Sequence, residues 1–161
     1  MFRKFNTPMK SVVALSLVLV FALSAAWALQ TYNASIIVKK GGVSDRLMLV
    51  AESENGTVNF RIKAGALDDY LTEQGKDKVK ITVEMIEDEA NGVLLFTFGP
   101  SGTYFNPPSK LKLRGNYIYD NHLLVDENGE LIEYTVAPKK DLLVFDILHF
   151  SSYYYDSYDS Y

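Results

Sequence analysis

Residues 78–85 read KVKITVEM. Val79, Ile81, Val83 and Met85 fall on one face of an extended chain, and Lys78, Lys80, Thr82 and Glu84 on the other. Successive side chains of a strand point to opposite faces and β-branched residues fit a pleated surface, so this octet reads as a half-buried β-strand. The same period recurs outward from it. In Thr57–Lys63 (TVNFRIK) it turns Val58, Phe60 and Ile62 inward, and further on it does the same with Leu94, Phe96 and Phe98. Ser35–Lys39, Leu47–Ala51, Lys110–Arg114, Leu123–Val125, Leu131–Val136 and Leu142–Leu148 are shorter runs of the same kind. Turn-forming residues separate them at Gly41-Gly42, Asn55-Gly56, Asn91-Gly92, Gly99-Pro100, Asn106-Pro107-Pro108, Asn128-Gly129 and Pro138. Asn55-Gly56, Asn91-Gly92 and the stretch Asp126–Glu130 are expected hairpin turns. Only residues 66–75 (ALDDYLTEQG) read as helical, with Asp68 and Asp69 at the positive end and Gly75 as the stop. The expectation is an all-β protein: an antiparallel β-sandwich of about eight or nine strands with one short helix, preceded by a signal-peptide helix.

The chain has 161 residues, which is one domain or one domain plus a targeting segment. Apolar residues make up 48% and charged residues 22%, so the chain is neither disordered nor wholly embedded in a membrane. A formal charge of −4 argues against nucleic-acid binding as its main task, because neutralising phosphates takes a basic face. The absence of cysteine excludes disulfides, thiol catalysis and cysteine-based metal centres. Two histidines, His122 and His149, are too few for a His-rich metal site. No phosphate loop, nucleophile elbow or paired-carboxylate signature is present, and no cofactor is expected.

Residues 1–10 carry Arg3, Lys4 and Lys10 and no acid, and residues 11–29 carry no charge. Ala26-Trp27-Ala28 closes the run with the small-x-small pattern that signal peptidase reads, so residues 1–28 are expected to be a removable leader. A retained anchor is the alternative, since nineteen uncharged helical residues would just span a core of about 30 Å. Cleavage after Ala28 leaves 133 residues with 13 basic against 20 acidic side chains, a net charge of −7. Such a product is expected to be secreted or to sit at the cell envelope, with no attachment to membrane once the leader is gone.

Four segments carry a resemblance: Gly41-Gly42-Val43, Ala64-Gly65-Ala66-Leu67, the run from Phe98 to Pro108 (FGPSGTYFNPP), and His149-Phe150-Ser151. In this order and spacing they resemble the ZU-five domain of zonula occludens proteins, netrin receptors and ankyrins, in a secreted prokaryotic form. The likeness covers roughly residues 35–152, with the Phe-Gly-Pro-Ser-Gly run its most specific part. It implies a β-sandwich over 29–152 that mostly mediates interactions, followed by a Tyr/Asp/Ser tail over 153–161. In some members it also implies self-cleavage between the aromatic residue and the serine of a His-Phe-Ser triplet, here the Phe150–Ser151 bond. Independently of any family, Gly65 can take a positive φ that lets the chain leave a strand for a helical turn. Pro100 cannot continue a central ladder, and Pro107 and Pro108 hold the chain extended, all of which a corner between two sheets explains.

The triplet carries a definite chemistry. Ser151 Oγ would add to the Phe150 carbonyl carbon, the amide C–N bond would break to leave an ester, and water would then release the acyl group. Adjacency makes the attack intramolecular. Serine needs a base, and the adjacent His149 carries an imidazole that could take the proton. A donor for the oxyanion and a strained peptide bond are also required, and the triplet names neither. The structural alternative makes His149 a strand-end residue, Phe150 a core plug and Ser151 a polar exit.

Five of the eleven tyrosines lie in the last nine residues of SSYYYDSYDSY. This reads as a solvated end, or as a tail that self-associates through aromatic faces and sheet edges. Glu84, Glu87, Asp88 and Glu89 read as a solvated hairpin rim rather than a calcium site. Asn33-Ala34-Ser35 and Asn55-Gly56-Thr57 match the glycosylation sequon, and His122 reads as a surface residue. The functional expectation is a non-enzymatic structural or protein-interaction module, with a protein partner or a second copy engaged through a sheet edge or the C-terminal tail. The alternative is an autoproteolytic domain with Ser151 as nucleophile and His149 as base.

Overall fold

The computed structural model describes residues 29–89, 91–118, 123–137 and 141–156. The expected leader, His122, Pro138 and residues 157–161 of the expected tail lie outside them. The strands are β1 (Leu29–Lys39), β2 (Arg46–Ser53), β3 (Gly56–Ile62), β4 (Lys78–Asp88), β5 (Val93–Gly99), β6 (Tyr104–Gly115), β7 (Leu123–Asp126), β8 (Tyr134–Ala137), β9 (Leu142–His149) and β10 (Ser152–Asp156). One helix, α1 (Asp68–Glu73), lies between β3 and β4. The strands form two five-stranded sheets, all of whose pairings are antiparallel: sheet A in the order β1-β4-β5-β10-β7 and sheet B in the order β2-β3-β6-β9-β8. This is the expected all-β sandwich with one short helix.

The period-two reading holds residue by residue in the strands that anchored it. Val79, Ile81, Val83 and Met85 are buried, as are Val58, Phe60 and Ile62, and Leu94, Phe96 and Phe98. Apolar alternation fixes register, because a slip of one residue would turn each whole set to solvent. Between the sheets Phe60, Phe98, Phe105 and Phe150 form one aromatic cluster, with Phe98 stacked on Phe150 at 5.3 Å and Phe105 edge-on to it at 4.8 Å. Such pairs add about 0.5–1.5 kcal/mol each beyond the burial of their area.

Three expectations change. The Asn91-Gly92 turn is a longer loop, in which Asp88 opposes Val93 and the Asn91 amide donates to the Asp88 carbonyl. Glu87 is not on a solvated rim. The β4 alternation continues past Met85 and turns it inward, where it is 3% exposed. The sandwich also does not stop at residue 152, since β10 lies between β5 and β7 and buries Tyr153 and Tyr155. Residues 153–156 of the expected tail are therefore part of an inner strand of sheet A.

The two ends of the sandwich are closed differently. At one end Gly65, at φ 73°, turns the chain into α1, which buries Tyr70 and Leu71 beneath it. At the other end the Asn55-Gly56 turn packs on Gly115. A Cβ on Gly56 would stand 2.0 Å from the Arg114 carbonyl oxygen, and only glycine permits that approach. Behind this contact the Glu87 carboxylate accepts from Asn55 Nδ2 at 2.8 Å and from the Tyr117 hydroxyl at 2.9 Å. Ser53 Oγ lies 2.8 Å from the same hydroxyl. Because Tyr117 gives its proton to Glu87, the Ser53 hydroxyl is the donor in that contact.

Candidate functional site

The four segments singled out in the sequence are far apart along the chain and meet at the α1 end. The Gly41 amide donates to Asp68 Oδ1 at 2.9 Å, tying the Gly-Gly loop to the helix. The Asn106 amide donates to the Ala66 carbonyl at 2.8 Å, and Asn106 Nδ2 to Asp69 Oδ2 at 3.0 Å. The Phe150 amide donates to the Thr103 carbonyl at 2.7 Å. A connected set of hydrogen bonds thus runs from residue 41 through 66–69 and 103–106 to residue 150.

Within this end the triplet forms the corner where the chain leaves β9 in sheet B and enters β10 in sheet A. His149 ends β9, opposite Tyr104. Phe150, 4% exposed, turns its ring into the aromatic cluster and plugs the end of the core. Ser151, 8% exposed, accepts the Phe98 amide on its carbonyl at 3.3 Å, and its Oγ reaches the Ser152 carbonyl at 3.5 Å, the outer limit for such a bond. The two peptide units that flank the Phe150–Ser151 bond are therefore held, the preceding one by the Thr103 carbonyl and the following one by the Phe98 amide. Thr103 is itself fixed, since its hydroxyl donates to the Pro100 carbonyl at 2.7 Å. The Phe98–Pro108 run serves as the clamp on this corner.

The proposed base lies elsewhere. His149 is exposed and its ring packs obliquely on Tyr153 at 6.3 Å; among the described residues it makes no hydrogen bond to Ser151. It lines a cleft of about 280 Å³ together with Asp126, Glu130, Glu133, Asp146, Leu148 and Tyr153. The Tyr153 hydroxyl donates to the His149 carbonyl at 2.5 Å, and burial, followed by the charges of Asp126 and Glu127, raises its pKa. Asp126 is held below the usual carboxylate range, first by the Glu130 amide and then by the Asn128 backbone and side chain, with a smaller contribution from His149. The triplet thus places a buried serine at a corner whose flanking peptide units are held, while its histidine faces a carboxylate-lined cleft.

Sequence reasoning missed Thr103, Tyr153 and Asp126 as partners of the triplet. Tyr153 had a signal, since Tyr153 and Tyr155 are spaced as one face of a strand, but the surrounding Ser and Asp masked it. Thr103 meets the triplet through its backbone carbonyl and Asp126 is set by backbone amides, and such contacts leave no residue pattern to read. Among the described residues no group of three or more His, Asp or Glu side chains is placed to hold a metal ion.

Fold and corner together define a two-sheet antiparallel sandwich whose strands cross between sheets at a clamped aromatic plug. No protein-family model matches the chain, and comparison with curated proteins and with solved structures returns no match.

Proposed function

We propose that this chain is an exported, non-enzymatic β-sandwich that works as a structural or protein-interaction module at the cell envelope or outside the cell, of the ZU-five type. The observation that carries the reading is the edge of sheet B. Its terminal strand, β8, has four residues, and its Tyr134 and Val136 are each 45% exposed. Leu131 and Leu148 stand exposed close by at the mouth of the His149 cleft. A short apolar edge strand offers backbone groups and side-chain footholds for one more strand from a partner. The convergence of the four segments at the α1 end supports the family reading. Export rests on the uncharged run of residues 11–29 and the Ala26-Trp27-Ala28 motif near its end.

Self-cleavage is the second reading. What favours it is Ser151, a buried nucleophile with a weak hydrogen bond, at a bond whose flanking peptide units are both held. What weighs against it is His149, whose ring packs on Tyr153.

Intact mass under denaturing conditions tests these readings. A single species of residues 29–161 is expected. A chain ending at Phe150 with a peptide starting at Ser151, absent from the Ser151→Ala variant, overturns the non-enzymatic reading. A mass of residues 1–161 overturns leader removal. The edge is tested by sedimentation of the protein and its Val136→Lys variant. Concentration-dependent association is expected, with loss of it in a variant that keeps the β spectrum. Equal association of the two removes β8 as the site.

A further inference from the structure

The alternation that buries Leu111 and Leu113 sends Lys110, Lys112 and Arg114 to the outer face of sheet B. On β3 the same alternation sends Arg61 outward between the buried Phe60 and Ile62. Register then brings the four together, with Lys110 opposite Arg61, Lys112 opposite Asn59 and Arg114 opposite Thr57. Successive outward positions on one strand lie about 6.8 Å apart and neighbouring strands about 4.8 Å apart, so four cations share a flat patch two strands wide. Two carboxylates meet it. Asp45 binds Arg61 through Nη2 at 2.5 Å and Nε at 2.7 Å, and is anchored by the Ala64 amide, while Asp146 pairs with Lys110 from β9. Among the described residues no carboxylate is paired with Lys112 or Arg114. Burial, and then the charges of Arg61 and Arg114, push the Lys112 ammonium pKa down.

This patch stands out against the molecule that carries it. Residues 29–161 have a net charge of −7, yet four of their 13 basic side chains gather here. Like charges on neighbouring strands are destabilising, so the cluster costs stability unless a ligand with several negative charges covers it. Its flatness fits a chain rather than a compact anion. The Arg114 guanidinium fork matches a pair of phosphate oxygens better than it matches a single charge, while Asp45 already takes the Nε–Nη2 side of Arg61 and leaves its outer N–H groups to a ligand. The face carries no outward aromatic side chain among Asn59, Thr57 and the four cations, so it has no platform on which nucleobases could stack.

We propose that the outer face of sheet B is a docking surface for a linear phosphate polymer without bases, laid along β6 across Arg61, Lys110, Lys112 and Arg114. This deepens the proposed function and rests on it, since it names the partner chemistry of an exported binding module.

The test uses the purified protein, its ends fixed by intact mass, with labelled inorganic polyphosphate as the probe and anisotropy as the readout. Binding is expected at low salt, weakening linearly on a log–log plot as salt rises. The Lys112→Glu/Arg114→Glu variant is expected to bind at least about tenfold more weakly with a shallower salt slope, in keeping with the loss of about two phosphate contacts. Lys78→Glu/Lys80→Glu on β4 makes the same change in net charge on sheet A and is expected to bind as the parent does. Lys112→Gln/Arg114→Gln repeats the loss without charge reversal, and circular dichroism checks that each variant is folded. Absence of binding, or equal weakening by the β4 and β6 variants, overturns the proposal. Tighter binding of a single-stranded oligonucleotide, of polyglutamate or of anionic vesicles also overturns it, in favour of that partner. If the mass is that of residues 1–161 and polyphosphate still binds through β6, the export reading fails while the surface stands.

Discussion

Glu87 carries a carboxylate into the sandwich, and among the described residues no cation is paired with it. An ionised group in such a place is tolerable only if hydrogen bonds replace its water. Asn55, in the β2–β3 turn, and Tyr117, just beyond β6, supply the two shorter ones from the side of sheet B, while Glu87 itself and Tyr32, which donates at 3.3 Å, belong to sheet A. The residue therefore latches the two sheets at the end opposite α1. Glu87→Ala takes the acceptor from Asn55 and Tyr117, and from the longer Tyr32 contact, and is expected to cost about 2–4 kcal/mol. Glu87→Gln keeps one acceptor oxygen and is expected to cost about 1 kcal/mol. Urea unfolding of the two variants checks this, and equal losses would show that Glu87 acts by filling space. The same position shows how a local reading misleads. Four acids near a turn look like a solvated rim, but the β4 period places residue 87 on the core face with 79, 81, 83 and 85, and tertiary packing follows the period.

β10 poses the corresponding question for elements. Nine of the ten strands, and the helix, are legible because apolar period and turn residues agree in them. β10 is not, because Ser152 and Tyr154 give its outward face the composition of a loose end, while its two inward residues are tyrosines whose hydroxyls read as polar. Its place is set by non-local pairing with β5 and β7, which no window of sequence contains. The corner before it is half legible: Phe150 as core plug follows from its type, whereas the clamp on it comes from backbone groups of Thr103 and Phe98. Since Tyr153 and Tyr155 are buried in an inner strand, deletion of residues 152–161 is expected to abolish the cooperative unfolding transition. A stop after Asp156 is expected to leave the thermal midpoint within about 2 °C of the parent, a few tenths of a kcal/mol for a domain of this size. Tyr155→Ala is expected to cost about 3–5 kcal/mol, as for other large core aromatics. A folded, cooperative 152–161 deletion would mean that β10 is dispensable and the stretch is a tail after all.

Across the whole molecule two electrostatic effects oppose each other at Lys112. Residues 29–161 carry a net charge of −7, which makes any further Lys→Glu change unfavourable through general self-repulsion. Locally the sign is reversed, because Lys112 sits among Lys110, Arg61 and Arg114 and a glutamate there would meet cations instead of repelling them. Distance decides which effect wins. Cross-strand neighbours lie inside the Debye length of about 8 Å at physiological salt, whereas most acidic groups elsewhere on the molecule lie beyond it and are screened. Lys112→Glu is therefore expected to raise stability by about 0.5–1 kcal/mol, the range for exposed opposite-charge pairs on a sheet, and the gain is expected to shrink at 1 M salt. Lys80 lies on sheet A with Lys78 two residues along the same face of β4 and Lys39 opposite Lys78, so Lys80→Glu is expected to gain by the same local rule while leaving polyphosphate binding unchanged. Urea midpoints of the two variants at low and high salt check the local rule, and polyphosphate binding separates the two faces. A stabilised Lys112→Glu that has also lost polyphosphate would identify the cationic patch as a feature kept for binding at the expense of the fold, as stability–function trade-offs predict. A destabilised one would show that Lys112 contributes to the sheet through its aliphatic stem, and that the patch needs no ligand to account for it.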